Sequence, residues 1–264
     1  MLRIQGLVKT FFKGTVNEKE ALKHIDLTLN TGDFVTVIGG NGAGKSTLLN
    51  SVAGVFPIDA GSIRIGDTDV TKMPEYKRAA FIGRVFQDPM LGTAGNMQIE
   101  ENMLLALRRG KRLGLKWSFV KSERELFRER LSLLGLGLEN RLGSRMGLLS
   151  GGQRQSITLL MATMLKPELL LLDEHTAALD PKTAANVLSL TNTLVKEHNL
   201  TTLMITHNMR DALAYGNRIV MMNNGRIIFD AAGEEKAKLT VPDLLARFEH
   251  DTGEGLSDRM MLGN

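Results

Sequence analysis

A glycine-rich stretch decides the fold of this chain: Gly39, Gly40, Asn41, Gly42, Ala43, Gly44, Lys45, Ser46 and Thr47. It follows a short apolar, β-branched run at residues 34–38 and precedes a helix-compatible segment, so a strand, a loop and a helix follow one another. The stretch satisfies the pattern G-x-x-x-x-G-K-[ST], in which glycines let consecutive backbone N–H groups turn toward phosphate oxygens. The positive end of the following helix attracts the same anion. We therefore predict a nucleotide phosphate site, with Lys45 at the β and γ phosphates and the Ser46 hydroxyl on magnesium.

The composition restricts the remaining classes of function. The chain has 264 residues, of which 43% are hydrophobic, and this is enough for a full core in one or two domains. Because it has no cysteine, disulfide frameworks, thiolate metal sites and thiol nucleophiles are excluded, and a reducing cytoplasm is compatible. No signal-peptide pattern or run of about 18 apolar residues occurs, so we expect neither export nor a membrane span. The net charge of +4 is too small to indicate a nucleic-acid partner.

Strand-like and helix-like segments alternate along the chain. Short apolar runs occur at residues 34–38, 84–86, 169–172, 201–205 and 218–222, and helical patterns occur at residues 45–53, 150–165, 181–198 and 208–215. This alternation predicts an α/β fold with a mainly parallel sheet core and helices on its faces. Alternating polar and apolar residues at 2–29 predict an antiparallel β subdomain, and helical spacing within residues 99–142 predicts a helical insertion.

We interpret residues 1–250 as one domain, with a helical subdomain at about 99–165 inserted within it. A last helix is predicted at about 241–248, with Thr240 as its N-cap. The loop-like residues 251–264 are expected to form a mobile tail. Nine basic residues between Arg108 and Arg130 outnumber three glutamates, which places a local charge of +6 in the insertion.

Polar side chains follow three further strands of the predicted sheet. The strand at 169–172 ends in Asp173 and Glu174, where one carboxylate can face a metal ion and the other a water molecule beside the γ phosphate. His207 and Gln87 follow two other strands. Because ligands of an open α/β sheet lie beyond the carboxyl ends of the strands, these groups should share a crevice with the glycine loop. We predict Asp173 and Gln87 as metal ligands and Glu174 as general base; alternatively, the two acids only begin a surface loop.

A second helix start carries an anion-binding pattern, formed by Ser150, Gly151, Gly152 and Gln153. Ser150 is a natural N-cap for the helical run that follows, and the two glycines let backbone N–H groups approach an anion. One nucleotide has one γ phosphate, and the glycine loop already surrounds one side of it. A second phosphate-binding helix terminus therefore suggests a nucleotide held between two subunits.

Together, these motifs resemble those of ATP-binding cassette (ABC) ATPases. The glycine loop, Gln87, residues 149–153, residues 169–174, Asp180 and His207 occur in the order and spacing of that family, across essentially the whole chain. The resemblance implies the P-loop NTPase fold of ABC ATPases, with ATP and Mg²⁺ as cofactors. It implies a head-to-tail dimer in which the helix start at 150–153 serves the partner's ATP.

The same resemblance assigns roles to single residues. It implies that Asp180 links the two sites across the dimer and that His207 is a switch residue at the γ phosphate. It also implies an aromatic side chain that stacks on adenine, for which Phe11, three residues before Gly14, is preferred to Phe12. Two ordinary core or edge-strand aromatics are the alternative.

Size separates the classes within this family. About 60 residues lie between Gln87 and Ser150, without an extended heptad pattern, so the long coiled coils of DNA-repair types are absent, and translation types carry two cassettes instead of one. Residues 87–93, 100–106, 173–181 and 233–236 resemble the ATPase subunits of bacterial tryptophan or tyrosine uptake systems. A cluster-assembly ATPase and an exporter ATPase remain alternatives.

A transporter subunit implies particular partners. The expected ones are a second copy of the ATPase with ATP, an integral membrane permease and, for an importer, a substrate-binding protein acting with that permease; no nucleic acid is expected. The chain would then lie at the cytoplasmic face of the cell membrane. Met90 and Met97 follow Gln87 in the loop that meets the permease in transporters.

Two positions depart from the family pattern. The residue after Asp173 and Glu174 is His175 where proline is usual, and the stacking residue is phenylalanine where tyrosine is commoner. Neither change removes a group that hydrolysis needs. We expect His175 to be a solvated loop residue; the alternative is a pH-sensitive contact.

Overall fold

A computed structural model describes residues 1–110 and 120–252 of the chain. In these ranges the strands are β1 (Leu2–Phe11), β2 (Lys19–Leu29), β3 (Phe34–Gly39), β4 (Ala60–Ile65), β5 (Thr68–Asp69), β6 (Ile82–Val85), β7 (Leu169–Asp173), β8 (Thr202–Ile205), β9 (Arg218–Asn223) and β10 (Arg226–Ala232). The α-helices are α1 (Lys45–Ala53), α2 (Glu75–Arg78), α3 (Ile99–Leu107), α4 (Lys121–Ser132), α5 (Gly151–Thr163), α6 (Pro181–His198), α7 (Met209–Ala214), α8 (Gly233–Lys238) and α9 (Val241–Thr252). Two short 3-10 helices precede α5, at Leu138–Asn140 and Met146–Leu148.

Six strands form the central sheet, in the order β10-β9-β3-β8-β7-β6. The strands from β9 to β6 run parallel, and β10 pairs with β9 in the antiparallel sense. All residues of β3 are buried because its side chains enter apolar cores on both faces of the sheet. Parallel pairing brings the carboxyl ends of β3, β7 and β8 to one edge. The glycine loop, Asp173 and His207 therefore emerge side by side.

A second sheet is antiparallel and has the order β2-β1-β4-β5. Its apolar face, including Leu2, Ile4 and Ile63, shares one core with Val37 of β3 and Leu48 of α1. The two sheets thus pack around the helix that follows the glycine loop. This arrangement brings the end of β1 toward that loop.

The helices α3, α4 and α5 form a separate core around the fully buried Phe127. Arg124 of α4 donates two hydrogen bonds of 2.8 Å to the Glu100 carboxylate of α3, which joins these helices. The other side of α5, with Leu159 and Ala162, packs against the central sheet. Helix α5 therefore packs against α3 and α4 on one side and against the central sheet on the other, and these contacts position its start.

The predicted fold class is confirmed: an α/β fold with a mainly parallel core, an antiparallel β subdomain and a helical insertion. Five elements were not predicted, namely β4, β5, β10, α2 and α8. Pairing with β1, β4 and β9 defines the three strands among them more than their own residue patterns do. The last helix continues to Thr252, four residues beyond the predicted end, and the rest of the predicted tail, 253–264, lies outside the described residues. Within the described ranges, no helix has the length and apolar character that a membrane span requires.

Candidate active site

The glycine loop leaves β3 at Gly39 and enters α1 at Lys45. Gly39 and Gly44 have φ angles of 150° and 102°, which other residues rarely adopt. A Cβ atom on Gly39 would lie 2.2 Å from the Met222 carbonyl oxygen, so the neighbouring strand β9 excludes any side chain there. Gly44 is the N-cap of α1 and has no side chain to cap it. The first backbone N–H groups of the helix are thereby left available to an anion.

The Lys45 side chain lies inside this loop. Its buried ammonium donates hydrogen bonds to the carbonyl oxygens of Gly39, at 2.7 Å, and Gly40, at 3.1 Å. Burial lowers the pKa of Lys45, while the Glu174 and Asp173 carboxylates oppose that shift. One cation and two carboxylates thus lie close together at the carboxyl edge of the sheet.

Glu174 and His207 form a hydrogen-bonded pair across this edge. The Glu174 backbone has φ of 43°, and its N–H donates to the Ile205 carbonyl oxygen at 3.1 Å, so β8 holds the turn that follows β7. Nδ1 of His207 lies 3.3 Å from Oε2 of Glu174. This hydrogen bond lowers the pKa of Glu174 and raises that of His207, against the effect of burial on both groups. The glutamate is therefore ionised at neutral pH, with its carboxylate held toward His207.

Asp173 ends β7 and faces a cation that sequence reasoning missed. Nη2 of Arg84, on β6, lies 3.9 Å from Oδ2 of Asp173 and donates to Oδ1 of Asn50 at 2.7 Å. Burial raises the pKa of Asp173, and the Arg84 charge opposes that shift. The contact between Arg84 and Asp173 depends on the pairing of β6 with β7. The residues around Arg84 contain no local pattern that predicts this pairing.

A pocket opens beside the glycine loop and is walled by residues from three parts of the chain. Phe11, Lys19, Ala21, residues 41–47 and Glu174 line it. Phe11 packs edge-on against Phe56, with ring centroids 5.2 Å apart, whereas Phe12 is 69% exposed and does not line this pocket. Lys19 is the cross-strand partner of Phe11, and the sequence analysis did not predict it as a residue of this site.

The start of α5 lies apart from that pocket. None of Ser150, Gly151, Gly152 and Gln153 lines it. The Ser150 hydroxyl accepts a hydrogen bond from the Gln153 N–H at 3.3 Å, and the Gln153 side chain accepts one from the Ser150 N–H at 3.2 Å. This reciprocal capping box matches the predicted N-cap.

The start of α6 packs against the start of α5. Asp180 is the N-cap of α6 and accepts a hydrogen bond from the Thr183 N–H at 3.1 Å. A Cβ atom on Gly152 would lie 2.1 Å from Cγ2 of Thr183, so a side chain there would displace the Thr183 methyl group. Gln87, two residues beyond β6, is exposed and, like Asp173, does not line the pocket beside the glycine loop.

The structure contradicts the expectation of a solvated loop position for His175. The side chain is buried, and its Nε2 lies 3.1 Å from the Thr191 hydroxyl of α6. Burial lowers the pKa of His175 to about 4, so the ring is neutral at pH 7. The sequence predicted a solvent-exposed side chain because His175 belongs to a loop. The packing of α6 over that loop is a tertiary effect.

The sequence profile of the ABC transporter family matches residues 22–177. The chain belongs to this family. It is the ATP-binding subunit of an ABC transporter and an ATPase, as the motifs predicted.

Curated relatives resemble this ABC ATPase over nearly their full length. It is 43% identical over 250 residues to a tyrosine transport ATP-binding protein of Clostridioides difficile (strain R20291), covering 95% of this chain and 99% of that protein. It is 35% identical over 255 residues to the phosphonates import ATP-binding protein PhnC 1 of Rhodopseudomonas palustris (strain HaA2), covering 94% and 86%.

Two solved structures share the fold. The dimeric ATP-binding cassette MJ0796, in a post-hydrolysis state bound to ADP and Pi, has a TM-score of 0.75 and 27% identity, covering 88% of this chain and 98% of that one. The ADP conformation of MJ1267, an ATP-binding cassette of an ABC transporter, has a TM-score of 0.77 and 29% identity, covering 96% and 99%.

Proposed function

We propose that two copies of this ABC ATPase close around two ATP molecules and drive the uptake of a small solute, an amino acid such as tyrosine, through a separate permease. The solute is inferred from the relative with 43% identity, a tyrosine transport ATP-binding protein. The direction is inferred from the import proteins for phosphonates and for spermidine and putrescine. No observation favours a cluster-assembly or exporter role.

The observation that carries the hydrolytic mechanism is the juxtaposition of Lys45, Glu174 and His207 at one edge of the central sheet. Glu174 is ionised and oriented, so it can accept a proton from the attacking water. Lys45 neutralises charge on the β and γ phosphates. His207 uses one ring nitrogen on Glu174, which leaves the other for the γ phosphate.

The second half of each site is proposed to come from the partner subunit. Ser150, Gly151, Gly152 and Gln153 start a helix whose N-terminus does not line the pocket of their own chain. Their backbone N–H groups would approach the γ phosphate held by the partner's glycine loop. Asp180 lies on the helix that packs against them and would link the two sites.

A magnesium ion is proposed to join the ATP phosphates at this site. Ser46, Gln87 and Asp173 offer hydroxyl, amide and carboxylate oxygens, the ligands that Mg²⁺ prefers. The described residues contain no group of three or more His, Cys, Asp or Glu side chains that could hold a metal unaided. Phosphate oxygens and water would therefore complete the shell. The bound ion would neutralise phosphate charge.

The permease is proposed to contact the loop after Gln87. Met90 and Leu91 in this loop are 43% and 70% exposed, and such neighbouring apolar side chains commonly mark a protein interface. Met97 is half-buried nearby. Binding there would hold the ATPase at the cytoplasmic face of the membrane. A substrate-binding protein would act with the permease on the other side.

The variant Glu174→Gln tests this function. It keeps the shape of the side chain but removes the proton acceptor, so ATP should still bind while turnover falls by roughly 10²- to 10⁴-fold. A dimer with ATP and magnesium should accumulate and be visible by sedimentation. Lys45→Ala is the control, since it should lose nucleotide affinity and remain monomeric.

Two results would overturn the proposal. Wild-type turnover in Glu174→Gln would exclude Glu174 as the general base. A Glu174→Gln variant that binds ATP and stays monomeric, beside an active wild type, would exclude the two-subunit site.

A further inference from the structure

Glu174 is held in an uncommon backbone conformation, with φ of 43°. Its N–H donates to the Ile205 carbonyl oxygen at 3.1 Å, and its own carbonyl accepts from the Ala177 N–H at 3.0 Å. Its carboxylate lies 3.3 Å from His207. A residue in such a conformation stays there only when its surroundings hold it on several sides. These three contacts come from β8, from His207 two residues beyond it and from the turn itself, and none of the three comes from α6.

The next residue supplies the contact with α6. The His175 ring is buried, and its Nε2 lies 3.1 Å from the Thr191 hydroxyl. That hydroxyl donates its hydrogen to the Val187 carbonyl oxygen at 2.8 Å. Because a threonine hydroxyl has one hydrogen, it must accept from His175. The geometry therefore assigns the Nε2–H form to the ring.

The helix that receives this hydrogen bond also touches the start of α5. Thr183, two turns before Thr191, leaves no room for a Cβ atom on Gly152. Asp180 caps the same helix. Movement of α6 relative to the sheet would thus reach both the helix start proposed to serve the partner's ATP and, through His175, the turn that carries Glu174.

We propose that His175 is a positioning residue for ATP hydrolysis: its Nε2–H hydrogen bond to Thr191 fixes the turn after β7 on α6 and so holds the Glu174 carboxylate in place. The inference rests on the proposed role of Glu174 as general base. His175 and Thr191 touch neither nucleotide nor water in this account. They act on the placement of the proton acceptor, and so on kcat rather than on ATP affinity.

Variants of Thr191, whose hydroxyl accepts the hydrogen bond from His175, test this inference in the full-length chain. Thr191→Val keeps the shape but removes the hydroxyl, and it should lower kcat about tenfold, the worth of one buried hydrogen bond, with KM for ATP changed by less than about twofold. Thr191→Ser restores a hydroxyl and should return kcat toward the wild-type value. Thr193→Val is the matched control, because the Thr193 hydroxyl also donates to the carbonyl oxygen four residues earlier but is exposed, on a different face of α6 from Thr191.

A double-mutant cycle tests whether the two side chains act through one contact. His175→Leu should lower kcat about as much as Thr191→Val, and the double variant should be no slower than the worse single variant. Nitrogen-15 NMR of the wild type at neutral pH should show His175 protonated at Nε2. Unfolding midpoints, measured in parallel, separate loss of positioning from loss of folded protein.

The outcomes distinguish this inference from the proposed function. A Glu174→Gln variant with wild-type turnover would remove the proposed function and this inference with it. An inactive Glu174→Gln beside a Thr191→Val variant with unchanged kcat would overturn the positioning role alone. Additive losses in the double variant, or a ring protonated only at Nδ1, would also overturn it.

Discussion

The glycine loop and the start of α5 are two glycine-bearing helix N-termini of one chain, yet they differ in what surrounds them. At the loop, Lys45, the first residue of α1, and Glu174, which follows β7, line one pocket. At α5, the Ser150 side chain is turned back to cap its own helix, and exposed Gly151 has room for a Cβ atom, 3.4 Å from Leu179. The nucleotide that we propose to be shared between subunits would therefore meet a walled site at the glycine loop and an open half-site at the start of α5.

The largest effect should come from blocking the open half-site. Gly151→Asp places a negative charge where the partner's γ phosphate would lie, without a steric clash in its own chain. Hydrolysis should fall by about 100-fold or more, while ATP binding to the monomer, measured by calorimetry, should be unchanged. Gly143→Asp is the control, since Gly143 has open space around it and the substitution adds the same charge at another position of the helical subdomain. Equal losses in both variants would contradict a specific role for the α5 start.

The stability of the folded protein should respond to pH through His175, the residue after Glu174. Burial holds its folded pKa at about 4, against an ordinary 6.5, so the unfolded chain binds more protons between these values. The free energy of unfolding should therefore fall as pH decreases from 6.5 toward 4, by about 3 kcal/mol in total, and then level off. Urea unfolding at several pH values should show this decrease in the wild type and a smaller one in His175→Leu. Identical pH slopes would contradict the burial of His175.

The same contrast explains what the sequence could predict. The glycine loop, the two acids at the end of β7 and the Ser150 cap are local patterns, so spacing alone predicted their places. Arg84 and Lys19 were missed because each meets the site through a neighbouring strand. His175 was misplaced because α6, the next helix along the chain, packs back over the loop that carries it. Side chains positioned by tertiary pairing leave no local signal.

A smaller effect distinguishes the two aromatic candidates. Phe11 lines the pocket and is braced by Phe56, so Phe11→Ala should weaken ATP binding by roughly 1 kcal/mol, or about fivefold in Kd. Phe12→Ala, one residue away and exposed, should leave Kd unchanged. Fluorescent-nucleotide titration measures both. A larger loss in the Phe12 variant would reverse the assignment.

The smallest effect concerns the cap of α5. Ser150→Ala removes the hydroxyl that accepts from the Gln153 N–H, which should lower the free energy of unfolding by about 1 kcal/mol. ATP binding to the glycine loop of the same chain should be unaffected, because Ser150 does not line that pocket. Weaker ATP binding by the monomeric variant would contradict the separation of the two half-sites.

Mixing two inactive variants tests the central claim most directly. Lys45→Ala disables the glycine loop and Gly151→Asp disables the α5 start, so each alone should be inactive. A mixed dimer contains one site built from an intact loop and an intact α5 start. An equimolar mixture should therefore recover up to about a quarter of wild-type hydrolysis, since half of the dimers carry one working site of two. A mixture as inactive as its components would contradict an ATP site shared between two subunits.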